Sequence, residues 1–350
     1  MSKKFILPTL IIVIVLLGVW FYDRQTKVQK EPVSEYQVIH GNTQGTTYNM
    51  TFEYLKGADI QPEIEQVLHD FDMSLSTYEP SSIISRINQN DTLVVIDKKF
   101  EEVLLEARRV YEKTNGAFDI TVAPVVNAWG FGFTPGADVD SAMIDSLLRF
   151  VGMNKIKLEE GKIIKDFPQT MLDVNAIAQG YSVDVVAQFL EEKGIENYLV
   201  EIGGELKCKG LNPKGEDWKI GIDRPQEGNL VPGQNMQAVI AIKGKSLATS
   251  GNYRKFYEKN GIKYAHSINP KTGYPVLSKL LSVTIISDKC ITADAYATAF
   301  MVMGLDKSIE FLKSGVEDLD AYLIYNDNEG KFRVYSTPGM KKYILDEVEE

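Results

Sequence analysis

Between residues 35 and 350 the apolar side chains recur at two spacings, and the two come in blocks instead of alternating. Ile64, Val67, Leu68, Phe71 and Leu75 fall on one helical face, with Asp59 placed to cap it. Phe100, Val103, Leu104, Ala107, Val110 and Tyr111 predict a second helix over 98–115, ended by Gly116. A third is expected over 176–193, stopped by Gly194. Period-two patterns predict strands at 36–40 and 46–54 around a 41–45 turn, then at 198–202, 205–209, 218–222, 238–242 and 281–286. Helices near 293–303 and 307–313 and a hairpin of 321–325 with 332–335 close the chain. A doubly wound parallel sheet needs strict alternation of strand and helix. Blocks of each predict an α+β fold, with mixed sheets flanked by helices.

Ahead of this region lies an apolar run, residues 5–22, preceded by Lys3 and Lys4. At a rise of about 1.5 Å per residue it can just cross a hydrocarbon core of roughly 30 Å. The two lysines keep the start in the cytoplasm and send the rest out. A cleaved signal peptide and an uncleaved anchor are both open readings. The run is long for a signal core and lacks a clean small-x-small cleavage site, which favours an anchor over 1–22. Leu17, Gly18 and Val19 lead into Trp20 rather than a cysteine, which excludes lipid attachment there. Residues 23–34 read as a solvated linker, leaving 35–350 as the folded domain.

The formal net charge of −10 argues against a nucleic-acid surface, which needs clustered Lys and Arg. Cys208 and Cys290 make neither a disulfide framework nor a CxxC metal site. With only His40, His69 and His266, a multi-histidine metal centre is not expected. No P-loop, nucleophile elbow, HExxH pair or EF-hand loop is present. The glycines at 130, 132 and 136 miss dinucleotide-fingerprint spacing, and Pro135 suits a surface turn.

Four segments are dense in Gly, Asp, Asn and Thr: 116–124, 172–181, 265–273 and 292–298. Each has an ordinary structural reading. Asp119 and Asp173 can serve as turn or cap residues, and Asp294 can sit in a first helical turn where the macrodipole favours it. Asp294 and Thr298, however, are four apart and share a helix face. A carboxylate plus a hydroxyl makes an incomplete oxygen site of the kind Mg²⁺ uses when phosphate and water complete its shell. His266 is the one histidine inside a turn-rich polar segment.

Taken in order, Thr46-Thr47-Tyr48, Ser76-Thr77-Tyr78, Gly116-Ala117-Phe118-Asp119, the run Leu172–Tyr181, Gly203-Gly204, Thr249–Tyr253, the run His266–Gly273 and Ala293–Thr298 resemble the ApbE-type FAD:protein FMN transferases. The resemblance spans nearly the whole chain after the linker. It implies a two-lobed, T-fold-related α+β domain behind an N-terminal membrane helix. It further implies Mg²⁺ held by Asp294, Thr298 and the Ala176 carbonyl. FAD contacts are implied at Gln44, Tyr78, Ala117, Phe118, Asp119, Asp173, Gln179 and Ile268, with Tyr78 and Phe118 packing its rings. The chain departs from the usual pattern at Gln44, where methionine is common, and at Gln179, where Lys or Glu is common.

The implied chemistry is Mg²⁺-dependent transfer of FMN from FAD to a Thr or Ser hydroxyl of another protein, releasing AMP. Such transfer depends on charge neutralisation and in-line placement. His266 is the candidate base or phosphate contact; its alternative role is to pin the 270–273 turn. Acceptor subunits of membrane redox complexes are the implied partners, met on the extracytoplasmic (periplasmic) face of the inner membrane. Two other readings use the same residues: a FAD pyrophosphatase giving FMN and AMP, and a non-catalytic flavin-binding protein.

Overall fold

The computed structural model describes residues 33–132, 139–226, 233–252, 256–259, 262–265 and 267–348. The 1–22 anchor, most of the 23–34 linker and His266 lie outside the described residues. Among those described, no helix is long and apolar enough to cross a membrane. Tyr36–Glu53 with Asp59–Glu350 form one compact unit. Of the second, small unit, residues 33–35 and 54–58 are described. It is tied by the Lys56 N–H donating to the Val33 carbonyl at 2.9 Å and by a Lys56–Glu35 ion pair at 3.7 Å.

Strands β1 (Ser34–Thr43) and β2 (Thr46–Leu55) open the fold. Helices α1 (Gln61–Leu75), α2 (Ile83–Asn88), α3 (Lys98–Lys113), α4 (Ala123–Ala128) and α5 (Ser141–Leu148) follow. A small hairpin, β3 (Ile156–Glu159) with β4 (Lys162–Lys165), leads to α6 (Ala178–Glu192). Next come β5 (Tyr198–Ile202), β6 (Glu205–Lys209), β7 (Trp218–Asp223), β8 (Met236–Ile242), β9 (Ser246–Gly251), β10 (Phe256–Lys259), β11 (Ile262–Ala265) and β12 (Leu280–Ser287). Helices α7 (Cys290–Met303) and α8 (Leu305–Ser314) precede β13 (Asp320–Asn326), β14 (Phe332–Ser336) and β15 (Ile344–Glu347).

Eight strands make the main sheet, in the order β1-β2-β5-β6-β9-β12-β13-β14, and β15-β8-β7 make a second, three-stranded one. From β2 onward every pairing in the main sheet is antiparallel, as blocks of strands require. Both faces of its centre are covered. Along β12, Val283 and Ile285 point to the helices, packing with Ala248, Phe100, Val103 and Phe300. Ile286 points the other way and joins Leu247, Tyr322 and Ile324 against Trp218, Ile222 and Ile240 of the small sheet. Because both faces of β12 are covered, its alternating polar residues Ser282 and Thr284 are buried along with Val283 and Ile285. Each large side chain so buried contributes about 1.5–3 kcal/mol.

Several boundaries differ from the sequence reading for local reasons. The strands of the first hairpin run through the expected 41–45 turn, which is only Gln44 and Gly45, both at positive φ (51° and 72°). That geometry matches the right-handed twist of paired strands. Helix α1 begins at Gln61 beside Pro62, and Asp59 accepts the Gln61 N–H from just outside it. Helix α7 begins at Cys290, three residues before the expected start. Asp294 therefore sits in its second turn, not its first. The helix is buried almost all round, the position expected of one without a polar face. Cys208 and Cys290 are free and buried, each sulfur against a backbone carbonyl.

Candidate functional site

Helices α6 and α7 pack together, and within that contact Gly180 meets Asp294. Gly180 lies in the first turn of α6, where backbone N–H groups lack helical partners. The Ala178 N–H still bonds Val174 and the Tyr181 N–H bonds Ile177, but the Gly180 N–H donates to Asp294 Oδ2 at 2.9 Å. Only glycine permits this approach. A Cβ at position 180 would stand 2.5 Å from the Cys290 carbonyl and 2.7 Å from Asp294 Cβ.

Asp294 is buried, and loss of solvent pushes its carboxyl up to about 7 against the opposing Gly180 hydrogen bond. One turn on, half-buried Thr298 places its hydroxyl 3.1 Å from Ser250 Oγ of β9. Ala176 lies just before α6, so its carbonyl belongs to the same helix entry that holds Asp294. Glu205, on β6, is also buried; burial raises its carboxyl well above the ordinary value, and the nearby Asp294 charge adds to the rise.

The segments carrying the other candidates gather round this entry. The Asp173 N–H donates to the Ile120 carbonyl at 2.7 Å, and Met171 bridges Val122, so the 116–124 and 172–181 stretches run side by side. Asp173 Oδ1 accepts the Asn175 N–H at 2.8 Å and shapes the turn into α6. Asp119 is buried and accepts both the N–H and the hydroxyl of Thr121. Burial raises both carboxyls, more than these bonds lower them. Ile268 is buried with Val125, Ile144 and Val151, and Lys271 Cε lies 3.4 Å from where a Gly116 Cβ would stand. The hairpin-turn residue Gln44 accepts the Ser182 hydroxyl of α6 at 3.3 Å.

Three candidates sit differently from their assigned roles. Phe118 is 3 % exposed in the main core, so its ring is a core ring and not a stacking platform. Half-buried Ala117 beside it offers backbone. Tyr78 is 73 % exposed on the turn after α1. Gln179 turns its carboxamide inward, donating to the Ile202 carbonyl at 3.1 Å and to Glu205. Sequence reading missed Gly180, Glu205 and Ser250 as parts of this assembly. Gly180 directly follows Gln179 in a motif already singled out, and Glu205 follows the Gly203-Gly204 pair; no spacing rule reveals that they converge.

Among the described residues no three His, Cys, Asp or Glu side chains converge into a ready-made metal cage, and Asp294 has no cationic partner. The candidate donors are one buried carboxylate (Asp294), one hydroxyl (Thr298) and a backbone carbonyl (Ala176), all hard oxygen groups. That set fits Mg²⁺, which keeps several positions for water and phosphate, and does not fit Zn²⁺.

The ApbE family model matches residues 44–323. The chain belongs to the ApbE family. A relative named FAD:protein FMN transferase from Haemophilus influenzae is 38% identical over 320 residues, covering 87% of this chain and 90% of that protein. Another of the same name from Vibrio cholerae is 36% identical over 324 residues, covering 90% and 94%. The solved structure of flavin transferase ApbE from Vibrio cholerae matches with a TM-score of 0.78 at 35% identity, covering 89% of this chain and 100% of that one. The apo structure of a flavinyl transferase ApbE from Pseudomonas stutzeri matches at 0.79, with 28% identity and 90% and 98% coverage. The ApbE fold thus extends across nearly the whole described chain.

Proposed function

We propose that the chain is an FAD:protein FMN transferase that depends on Mg²⁺ and is anchored by residues 1–22 with its domain outside the cytoplasm. Full-length similarity to transferases of that name supports the activity. The observation that carries the metal dependence is the buried Asp294 carboxylate at the α6 entry, sharing a helix face with Thr298. Export is supported by the Lys3–Lys4 and 5–22 pattern.

In the reaction, a Thr or Ser hydroxyl of the acceptor forms a P–O bond to the FMN-side phosphorus of FAD. The pyrophosphate P–O bond breaks, and AMP leaves with the bridging oxygen. The hydroxyl proton passes to a base, for which His266 is the candidate. Asp294, Thr298 and the Ala176 carbonyl would hold Mg²⁺, which when bound neutralises pyrophosphate charge. The chain itself supplies placement: Gly180 fixes the Asp294 carboxylate, and the paired 116–124 and 172–181 segments hold Asp119 and Asp173 on adjoining stretches of chain. Tyr78, Gln44 and Ile268 remain assigned to FAD. The acceptors are subunits of membrane redox complexes.

The test supplies the full chain with FAD, Mg²⁺ and a membrane-complex subunit bearing a Ser/Thr-rich segment. One FMN mass increment with stoichiometric AMP is expected. Brisk AMP release with several such acceptors unmodified would establish the pyrophosphatase reading instead.

A further inference from the structure

The tight turn between β5 and β6 is built around one side chain of α6. Gly203 and Gly204 occupy it with φ of 61° and 106°, a conformation open mainly to glycine. A Cβ at Gly203 would fall on Gln179 Nε2 and lie 2.9 Å from Thr46 Cγ2. The Gln179 amide fills that space, donating to the Ile202 carbonyl at one end of the turn and to the Glu205 carboxyl at the other. Glu205 is 9 % exposed and has no cationic partner among the described residues. A buried carboxyl without a cation is costly unless hydrogen bonds replace its lost solvation, as the Gln179 amide does here. The next residue after Gln179 is Gly180, whose N–H holds Asp294.

From this geometry we infer that Glu205 is a positioning residue for the metal site. Through Gln179 it fixes the first turn of α6, and so sets where the Gly180 N–H and the Ala176 carbonyl stand relative to Asp294. The inference rests on the Mg²⁺ reading of Asp294, Thr298 and Ala176. Glu205 itself neither binds the ion nor touches FAD in this role; it acts as a hydrogen-bond acceptor. A neutral acceptor of the same shape can therefore replace it, while a side chain with no acceptor cannot.

The experiment titrates Mg²⁺ into the full-length chain and follows the thermal midpoint, alongside circular dichroism to establish folding. Glu205→Ala should need about 10–100-fold more Mg²⁺ for half-maximal stabilisation, the range found when an outer-shell partner is removed. Glu205→Gln should stay within about threefold of the parent. Turnover of Glu205→Ala, measured separately, should recover at saturating Mg²⁺, a change in metal requirement more than in kcat. If Glu205→Ala does not fold, Gln179→Ala removes the same link from the other side and should show the same displaced titration. Loss in Glu205→Gln equal to that in Glu205→Ala overturns the inference and makes the charge the active feature. An unmoved midpoint in both Glu205→Ala and Gln179→Ala also overturns it. No Mg²⁺-dependent stabilisation in the parent chain would instead remove the metal reading on which the inference stands.

Discussion

Asp294 concentrates the electrostatics of the site. With its carboxyl raised to about 7 by burial, the folded chain holds a proton there that the unfolded chain has released above pH 4. Without metal, stability should therefore fall as pH rises from about 4 to 7 and level off beyond, by about 1.4 kcal/mol for each pH step across that window. Asp294→Asn should flatten that decline, which thermal melts in EDTA at pH 5.5 and pH 8 would reveal. In Asp294→Ala, Mg²⁺-dependent turnover should drop by roughly two orders of magnitude or more, while the melting point in EDTA at pH 8 is kept or raised. Turnover unchanged at limiting Mg²⁺ would refute the assignment. Neighbouring Gly180 is constrained sterically. Gly180→Ala forces its methyl into the Cys290 carbonyl and Asp294 Cβ, and should cost about 1–3 kcal/mol in urea unfolding.

Helix α7 carries Asp294 toward α6 and is steadied on its other side by α3. Glu106 of α3 accepts hydrogen bonds from Arg109 at 2.7 and 2.8 Å and from Thr292 of α7 at 2.7 Å. Burial alone would raise the Glu106 carboxyl; the bonds from Arg109 and Thr292 outweigh it and hold the group below its ordinary value. A depressed carboxyl contributes stability above its unfolded pKa and loses it as pH falls through the folded one. Glu106→Gln should therefore cost about 1–2 kcal/mol at pH 7, with the difference from the parent shrinking as the pH is lowered below about 4.5. A pH-independent gap in chemical denaturation would show that lost packing, not charge, explains the cost. Helix periodicity located α1, α3, α6 and α7 because each buries one broad face or all of itself. It overlooked α2, α4 and α5, which are too short to display a period.

For the molecule as a whole, the proposal requires the full chain to fractionate with membranes, its domain open to protease from the extracytoplasmic side. A mature chain beginning near residue 25 in the soluble fraction would refute the anchor and leave export standing. The sequence by itself determined the α+β class, since blocks of period-two and period-3.6 apolar residues can be buried only on grouped strands and helices. It also marked the polar, glycine-rich segments from 116 to 298, because such residues in apolar surroundings need a local reason, and their order resembles one family. Helix register put Asp294 and Thr298 on one face, and that much is arithmetic. Only the tertiary structure decided that Asp294 is buried in a second turn against the start of α6. It alone turned Gln179 inward to Glu205 and made Phe118 a core ring. Periodicity and propensity act within a few residues, whereas these placements depend on contacts between separate segments, from 26 residues apart for Gln179 with Glu205 to 114 for Gly180 with Asp294. Such contacts are set by which faces pack together, and no local pattern of the chain encodes that pairing.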